Sequence, residues 1–166
     1  MGPLSRLLAL LDAQRGWLPP LLLRLPVAAV FILAGYPKVF TMGPAAFAAF
    51  IAEKMQVPLG GSLGYLVPIV EFFGGIGVLL GLGTRFWAAG QAVTMGFAIA
   101  FVHGSQGFAM GATVVEGQGA QPTGWAFQAV LLATTLALVV TGPGGLSLDA
   151  FGRRWLDRRA SAPPAP

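Results

Sequence analysis

Residues 63–82 form the apolar stretch LGYLVPIVEFFGGIGVLLGL. Apart from Glu71, this stretch carries no charged residue. About 20 apolar residues in helical conformation cross the hydrocarbon core of a bilayer. A carboxylate at that depth needs a partner, a proton or a water-filled cavity, because an isolated charge there is costly. The stretch therefore predicts an integral membrane protein that holds a polar group among its helices.

The composition agrees with a membrane protein. The chain has 166 residues, of which 55% are hydrophobic and 10% charged, and its mean hydropathy is +0.75. Soluble domains carry about 25% charged residues, so this chain lacks the charge to cover a water-exposed surface. Its 24 glycines allow membrane helices to approach closely. The length favours one domain with few spans.

Several kinds of chemistry are excluded by what the sequence lacks. There is no cysteine and only one histidine, which excludes thiol–disulfide exchange and iron–sulfur clusters. We therefore expect no haem and no metal site. The net charge of +4 comes from basic residues near the chain ends and among apolar segments. This distribution favours contact with the lipid bilayer rather than with nucleic acid.

Four apolar runs predict membrane spans, at residues 21–40, 63–82, 86–102 and 124–141. The predicted fold is all-α: an integral membrane four-helix bundle with short amphipathic interfacial helices. The polar, Gly-rich residues 104–123 are expected to form a loop or lid over the bundle. The predicted organisation is an N-terminal amphipathic juxtamembrane segment (1–20), a transmembrane domain (21–142), a C-terminal amphipathic cytoplasmic helix (143–160) and a disordered tail (161–166).

Two short helices are predicted at the membrane surface. Pro44 can open the first helix, and Ser147 can cap the second, with Asp149 in its first turn. The first helix would carry Phe47, Phe50, Ile51 and Met55 on one face. The second would surround an apolar face with Arg153, Arg154, Arg158 and Arg159, a pattern that is typical of a helix on an anionic leaflet.

Orientation follows from the basic residues. Four spans place both termini on one side of the membrane, and that side carries most of the arginines, whereas the other side carries only Lys38 and Lys54. The positive-inside rule then predicts that both termini are cytoplasmic.

The chain resembles the DoxX family of membrane proteins from about residue 24 to residue 151. The pieces that carry the resemblance are Ala34-Gly-Tyr-Pro-Lys38, Glu71 followed by Gly74-Gly75, Gly81-Leu-Gly-Thr-Arg85, His103 with Gly107-Phe108, and Gly142-Pro-Gly-Gly-Leu-Ser-Leu-Asp149. The resemblance implies a four-helix fold in the bacterial cytoplasmic membrane. It also implies a role as the membrane subunit of a quinone oxidoreductase or as the membrane partner of an oxidative-stress enzyme.

A pocket near the Lys38 end of the bundle is the predicted site. Glu71 lies about 12 Å along its helix from residue 63, at about 1.5 Å per residue, so the long Lys38 side chain can reach toward it. Glu71 and His103 are the candidate catalytic residues. The candidate quinone-binding residues are Tyr36, Lys38, Phe72 and Phe108, and the expected apolar walls are Phe72, Phe73, Phe101 and Phe108.

Each of these residues also has a purely structural interpretation. Glu71 can be one half of a structural ion pair, Lys38 can extend to the headgroups beside Tyr36, and His103 can cap its helix. Arg24 and Arg85 indicate either headgroup contact or helix-end packing. Trp87 and Trp125 are predicted to be interfacial belt residues.

Two functions remain open from the sequence. One is a quinone-binding subunit of a membrane oxidoreductase, in which a protein partner supplies the electron donor because this chain has no visible redox centre. The other is a non-catalytic membrane anchor or assembly factor for a redox or envelope partner. A small transporter is a weaker third alternative, and it would require a homo-oligomer because four spans show no repeat.

Overall fold

A computed structural model describes residues 14–54, 59–109, 111–115 and 119–161. The predictions for residues 1–13 and for the tail beyond residue 161 lie outside the described residues. The helices are α1 (Leu18–Tyr36), α2 (Pro44–Ala49), α3 (Gly60–Leu80), α4 (Thr84–Phe97), α5 (Ala126–Thr141) and α6 (Leu148–Ala160). Wider π-helical segments continue α1 over Pro37–Thr41, α2 over Phe50–Lys54 and α4 over Ala98–His103, after which Gly104–Gln106 forms a 3-10 turn.

Among the described residues, three continuous helices are long and apolar enough to cross a membrane: Leu18–Thr41, Gly60–Leu80 and Thr84–Gln106. The fourth helix of the bundle, α5, is also apolar but has 16 residues, slightly fewer than the about 17 residues at the lower end for a spanning helix. Large apolar side chains such as Leu33 and Val140 face outward, as expected for a surface in contact with lipid. The predicted four-helix membrane bundle is therefore confirmed as a fold, with a short fourth helix.

Glycines bring α1 and α3 close together. A Cβ atom at Gly35 of α1 would lie 2.5 Å from the backbone nitrogen of Phe72, and one at Gly75 of α3 would lie 3.0 Å from the backbone nitrogen of Ile32. Only glycine fits at such contacts, so the two helices touch backbone to backbone. This crossing fixes the position of the C-terminal end of α1 against the middle of α3.

Helix α2 packs into the bundle rather than only lying on the membrane surface. Gly43, with φ of 83°, turns the chain, and Pro44 begins the helix as predicted. Ala48 is buried against Gly64 of α3. Of the predicted apolar face, Ile51 is buried, whereas Phe50, where the helix changes to π-helical spacing, is 43% exposed. Met55 lies outside the described residues.

Residues 104–123 contain a β-hairpin that the sequence analysis did not predict. Strands β1 (Gly111–Val115) and β2 (Gly119–Thr123) pair antiparallel, with Gly111 opposite Thr123. The backbone N–H of Gly124 donates to Gln106 Oε1 at 3.1 Å, and that of Trp125 donates to the Gly107 carbonyl at 3.1 Å. These bonds fix the base of the hairpin between α4 and α5.

The C-terminal helix begins as predicted. The Ala150 N–H donates to Ser147 Oγ at 3.1 Å, so Ser147 is the N-cap of α6. The helix occupies Leu148–Ala160 within the predicted 143–160. Phe151, Trp155 and Leu156 remain exposed along it.

Candidate functional site

A cavity of about 220 Å³ lies among α1, α2, α3 and α4 at the Lys38 end of the bundle. Its polar lining residues are Lys38, Glu71, Thr94 and His103. Its apolar lining residues are Phe47, Ile51, Leu63, Val67, Met95, Phe97, Ala98 and Val102. The cavity therefore combines apolar walls with a few polar groups, the composition that is typical of small-molecule sites.

The ammonium of Lys38 forms an ion pair with the Glu71 carboxylate. Glu71 is 4% exposed, and the Lys38 Nζ also lies 5.3 Å from the centroid of the Phe47 ring. A carboxylate in the middle of a membrane helix needs such a partner. The predicted pairing of Glu71 with Lys38 is thus confirmed, and both charges face the cavity.

The local sequence explains this geometry. Gly35 brings α1 against the backbone of Phe72, one residue after Glu71. Lys38 follows Gly35 by three residues, nearly one helical turn. The side chain of Lys38 therefore leaves α1 beside the position of Glu71 on α3.

All three π-helical segments contribute to the cavity. Pro37–Thr41 supplies Lys38, Phe50–Lys54 supplies Ile51, and Ala98–His103 supplies Ala98, Val102 and His103. π-helical segments are rare and are frequent at functional sites. Their presence on three separate helices around one cavity supports a functional interpretation of this end of the bundle.

His103 lines the cavity at the end of the third long helix. Its Nδ1 lies 3.5 Å from Gln106 Oε1, the same oxygen that accepts the Gly124 N–H. The imidazole is therefore connected to the base of the hairpin. Because only the Nδ1 atom is engaged, Nε2 is free of any partner in the described residues.

Three of the six predicted site residues do not line the cavity. Tyr36 is 54% exposed and its ring packs with those of Phe40 and Phe72. Phe72 also contacts Phe73 in the same cluster. Phe108 is 71% exposed and its ring lies 4.8 Å from that of Trp125. The structure therefore brings together Lys38, Glu71 and His103 and separates them from the other three.

The predicted aromatic walls are wrong. The prediction placed Phe72, Phe73, Phe101 and Phe108 around the cavity, and none of them lines it. Neighbouring helical residues point about 100° apart, so Phe72 cannot share the face of Glu71. Residues four and eight positions before Glu71 do share it, and these are Val67 and Leu63. Helical spacing from Glu71 was the signal that could have found them.

Gln91 is a buried polar residue outside the predicted site. It is 0% exposed in α4, and neither its Oε1 nor its Nε2 has a hydrogen-bond partner in the described residues. A Cβ atom at Gly74 would lie 3.4 Å from its Nε2, so the amide faces α3 one turn from Glu71. Its neighbour one turn along, Thr94, lines the cavity.

The opposite end of the bundle is organised by Arg24, which is 2% exposed. Its Nε donates to the Val78 carbonyl at 2.7 Å and its Nη2 to the Leu79 carbonyl. Its Nη1 donates to the carbonyls of Pro143 at 2.9 Å and Leu146 at 2.7 Å. The Val78 and Leu79 carbonyls lie in the last turn of α3, where carbonyls outnumber helical donors, and the other two bonds tie this helix end to the 143–146 loop. Of the two alternatives for Arg24, helix-end packing is confirmed.

Asp149 and Arg85 complete this arginine-rich end. The Asp149 carboxylate accepts the N–H groups of Gly83 at 3.0 Å and Thr84 at 3.4 Å, so it caps α4 rather than its own helix. Arg85 donates to the Val140 carbonyl at 3.3 Å, near the end of α5. The Asp149 cap is charge-assisted. The cap and the Arg85 hydrogen bond both favour a structural role for this end of the bundle.

The fold and the cavity define a multi-pass membrane protein with a buried ion pair at a cavity of about 220 Å³. A profile of the DoxX family matches residues 20–104, which is just over half of the 166 residues. The chain therefore belongs to the DoxX family. A search of curated proteins and a search of solved structures found no match. The matched region includes Arg24, Lys38, Glu71 and His103.

Proposed function

We propose that this chain is the membrane subunit of a quinone-linked oxidoreductase and that the Lys38–Glu71 cavity binds the quinone headgroup. The observation that carries the proposal is the buried ion pair at an apolar-walled cavity of about 220 Å³. This volume is below the roughly 300 Å³ at which cavities for whole drug-sized ligands begin. It suits a single ring whose isoprenoid tail stays in the lipid.

The polar groups match the chemistry of a quinone ring. A quinone presents two carbonyl oxygens on opposite sides of an apolar ring, and each accepts a hydrogen bond. The Lys38 ammonium lines the cavity as a donor, and so does His103 in its imidazolium form, in which Nδ1 donates to Gln106 Oε1 and Nε2 carries a second N–H. Reduction of a quinone to a quinol takes up two electrons and two protons. Glu71 and His103 can carry the protons, and a redox centre of a protein partner supplies the electrons.

The orientation of the chain in the membrane is part of the same proposal. The arginine-rich end carries Arg85, Arg153 and Arg154, whereas the other end carries Lys38 and Lys54. We place the arginine-rich end and both termini in the bacterial cytoplasm, in accordance with the positive-inside rule. The cavity then lies in the outer half of the cytoplasmic membrane.

One observation favours a second function. Lys38 and Glu71 neutralise each other without any ligand, which is what a structural ion pair in a membrane anchor requires. An aromatic cluster of Tyr36, Phe40, Phe72 and Phe73 also lies outside the cavity with Tyr36, Phe40 and Phe73 exposed. In this alternative the chain anchors or assembles a redox or envelope partner without binding a quinone.

Photolabelling of the purified full chain in lipid vesicles separates the two functions. A quinone with a photoreactive headgroup should label residues that line the cavity, such as those within 94–103, and an excess of unmodified quinone should suppress the labelling. A probe with the same tail and photoreactive group but no quinone ring is the control. Labelling that is equal for both probes, or that excess quinone does not suppress, would reject the quinone site.

A further inference from the structure

A second cavity, of about 830 Å³, lies at the arginine-rich end between the start of α4, the end of α5 and α6. Three of its lining residues are arginines, namely Arg85, Arg153 and Arg154. We propose that this groove is a binding site for the phosphate headgroup of an anionic phospholipid. The site is separate from the Lys38–Glu71 cavity, so the proposal does not depend on quinone binding.

The position of the groove along the bundle supports a lipid ligand. The turn that joins α3 to α4, which includes Gly83, contributes to the groove. Both helices are long enough to cross a membrane, so a turn between them lies at the level of the headgroups. Phe86, in the first turn of α4, also lines the groove and is 73% exposed. A phospholipid with its phosphate at this depth would place its acyl chains beside an apolar surface.

The charges in the groove favour an anion. Two carboxylates line the groove, Asp149 and Asp157. Asp149 already accepts two N–H groups from the start of α4. Neither Arg153 nor Arg154 has an ion pair or hydrogen bond from its side chain to another described residue. Arg85 makes one long bond, to Val140. A guanidinium group can donate two parallel hydrogen bonds to the oxygens of one phosphate. Three guanidinium groups that face one groove therefore suit a phosphodiester.

The same helix supplies a contrast within the molecule. Arg158 and Arg159 also lie on α6 but do not line this groove. Arg159 instead stacks on the Trp155 ring, with its Cζ 3.6 Å from the ring centroid. General attraction between a basic helix and an anionic leaflet would involve all four arginines equally. A specific headgroup site requires Arg153 and Arg154 more than the other two.

The experiment compares two double variants of the full chain, Arg153→Gln/Arg154→Gln and Arg158→Gln/Arg159→Gln. Each is purified in detergent and titrated with phosphatidylglycerol or phosphatidylcholine, and bound lipid is counted by native mass spectrometry. We expect the wild type to retain phosphatidylglycerol in preference to phosphatidylcholine. The first variant should bind phosphatidylglycerol at least about tenfold more weakly, and the second less than about threefold more weakly, as expected for paired guanidinium contacts.

Other outcomes would overturn the proposal. Equal losses in the two variants would mean general attraction to the leaflet, and equal retention of both lipids would mean that no anion is recognised. Displacement of the lipid by inorganic phosphate at a similar concentration would indicate a site for free phosphate. The melting temperature in phosphatidylcholine should be the same for all three proteins, because the only side-chain contact that either variant removes within the described residues is the stacking of Arg159 on the exposed Trp155 ring.

Discussion

The ammonium of Lys38, in the π-helical extension of α1, forms an ion pair with the carboxylate of Glu71 in the middle of α3. The Lys38 side chain is 25% exposed and that of Glu71 only 5%. A lysine near a helix end can extend to the membrane surface when it loses its partner, whereas a carboxylate in the middle of a helix has no such route. Glu71 therefore depends on Lys38 more than Lys38 depends on Glu71.

This asymmetry predicts unequal effects of single substitutions. Lys38→Met leaves a buried carboxylate without its cation and should destabilise the protein by about 3 kcal/mol. Glu71→Leu leaves a lysine that can reach the surface, so it should cost roughly 1 kcal/mol. The double substitution should restore stability close to that of the wild type, because no buried charge remains. Melting temperatures in detergent measure all three, and equal losses for the two single variants would contradict the asymmetry.

Arg24 is expected to matter more for stability than any other arginine in the described residues. Arg24→Met removes four hydrogen bonds to carbonyls of α3 and the 143–146 loop and should cost about 3 kcal/mol or more. Arg85→Gln is the control, because it removes one bond of 3.3 Å and should cost less than about 1 kcal/mol. A thermal melt that ranks Arg85→Gln as the worse variant would refute this assignment.

Much of the fold was predictable from local sequence. Apolar length located the helices of the bundle, and the single carboxylate in residues 63–82 located the cavity. Ser147 was predictable as a cap because the cap and its helix are adjacent in sequence. The rise of a helix indicated that the Lys38 side chain can reach toward Glu71, and helical spacing could have found Val67 and Leu63, but the lining residues on the other helices had no such local signal.

The remaining features depend on contacts between distant residues. Asp149 caps α4 from 65 positions away, and Arg24 reaches loop carbonyls more than 100 positions away. Hydrophobic periodicity in the sequence does not predict contacts between residues so far apart. The packing of Trp87 against α3, where a Cβ atom at Gly74 would lie 3.0 Å from the indole, is another such contact, and its prediction as a belt residue stays a prediction. The π-helical segments and the hairpin likewise lack a local signal in this sequence.

Removal of the buried Gln91 amide is not expected to destabilise the protein. Gln91→Leu should leave the melting temperature unchanged or raise it, because the amide has no partner in the described residues and leucine fills a similar volume. Thr135→Val is the control: Thr135 is also fully buried, but its Oγ1 donates within α5 at 2.9 Å, so its loss should be mildly destabilising. A clear decrease for Gln91→Leu would show that the amide holds a buried water or ligand.

Topology can be tested with single cysteines, because the chain has no cysteine of its own. Ser105→Cys lies near His103 and Ser161→Cys at the end of α6, and both side chains are exposed. An impermeant thiol reagent applied to intact cells should label Ser105→Cys and should label Ser161→Cys only after lysis. The reverse pattern would contradict the proposed orientation, and labelling at both positions would contradict four crossings.

Quinone binding to the Lys38→Met/Glu71→Leu double variant decides whether the ion pair belongs to a quinone site. This variant should retain the wild-type melting temperature, so a change in binding cannot be attributed to unfolding. Glu53→Gln is the control, because Glu53 is exposed and does not line the cavity. In a titration of the purified proteins, we expect the double variant to bind quinone at least about tenfold more weakly and Glu53→Gln to match the wild type. A folded double variant with wild-type quinone affinity would show that the ion pair is structural and that the cavity is not the quinone site.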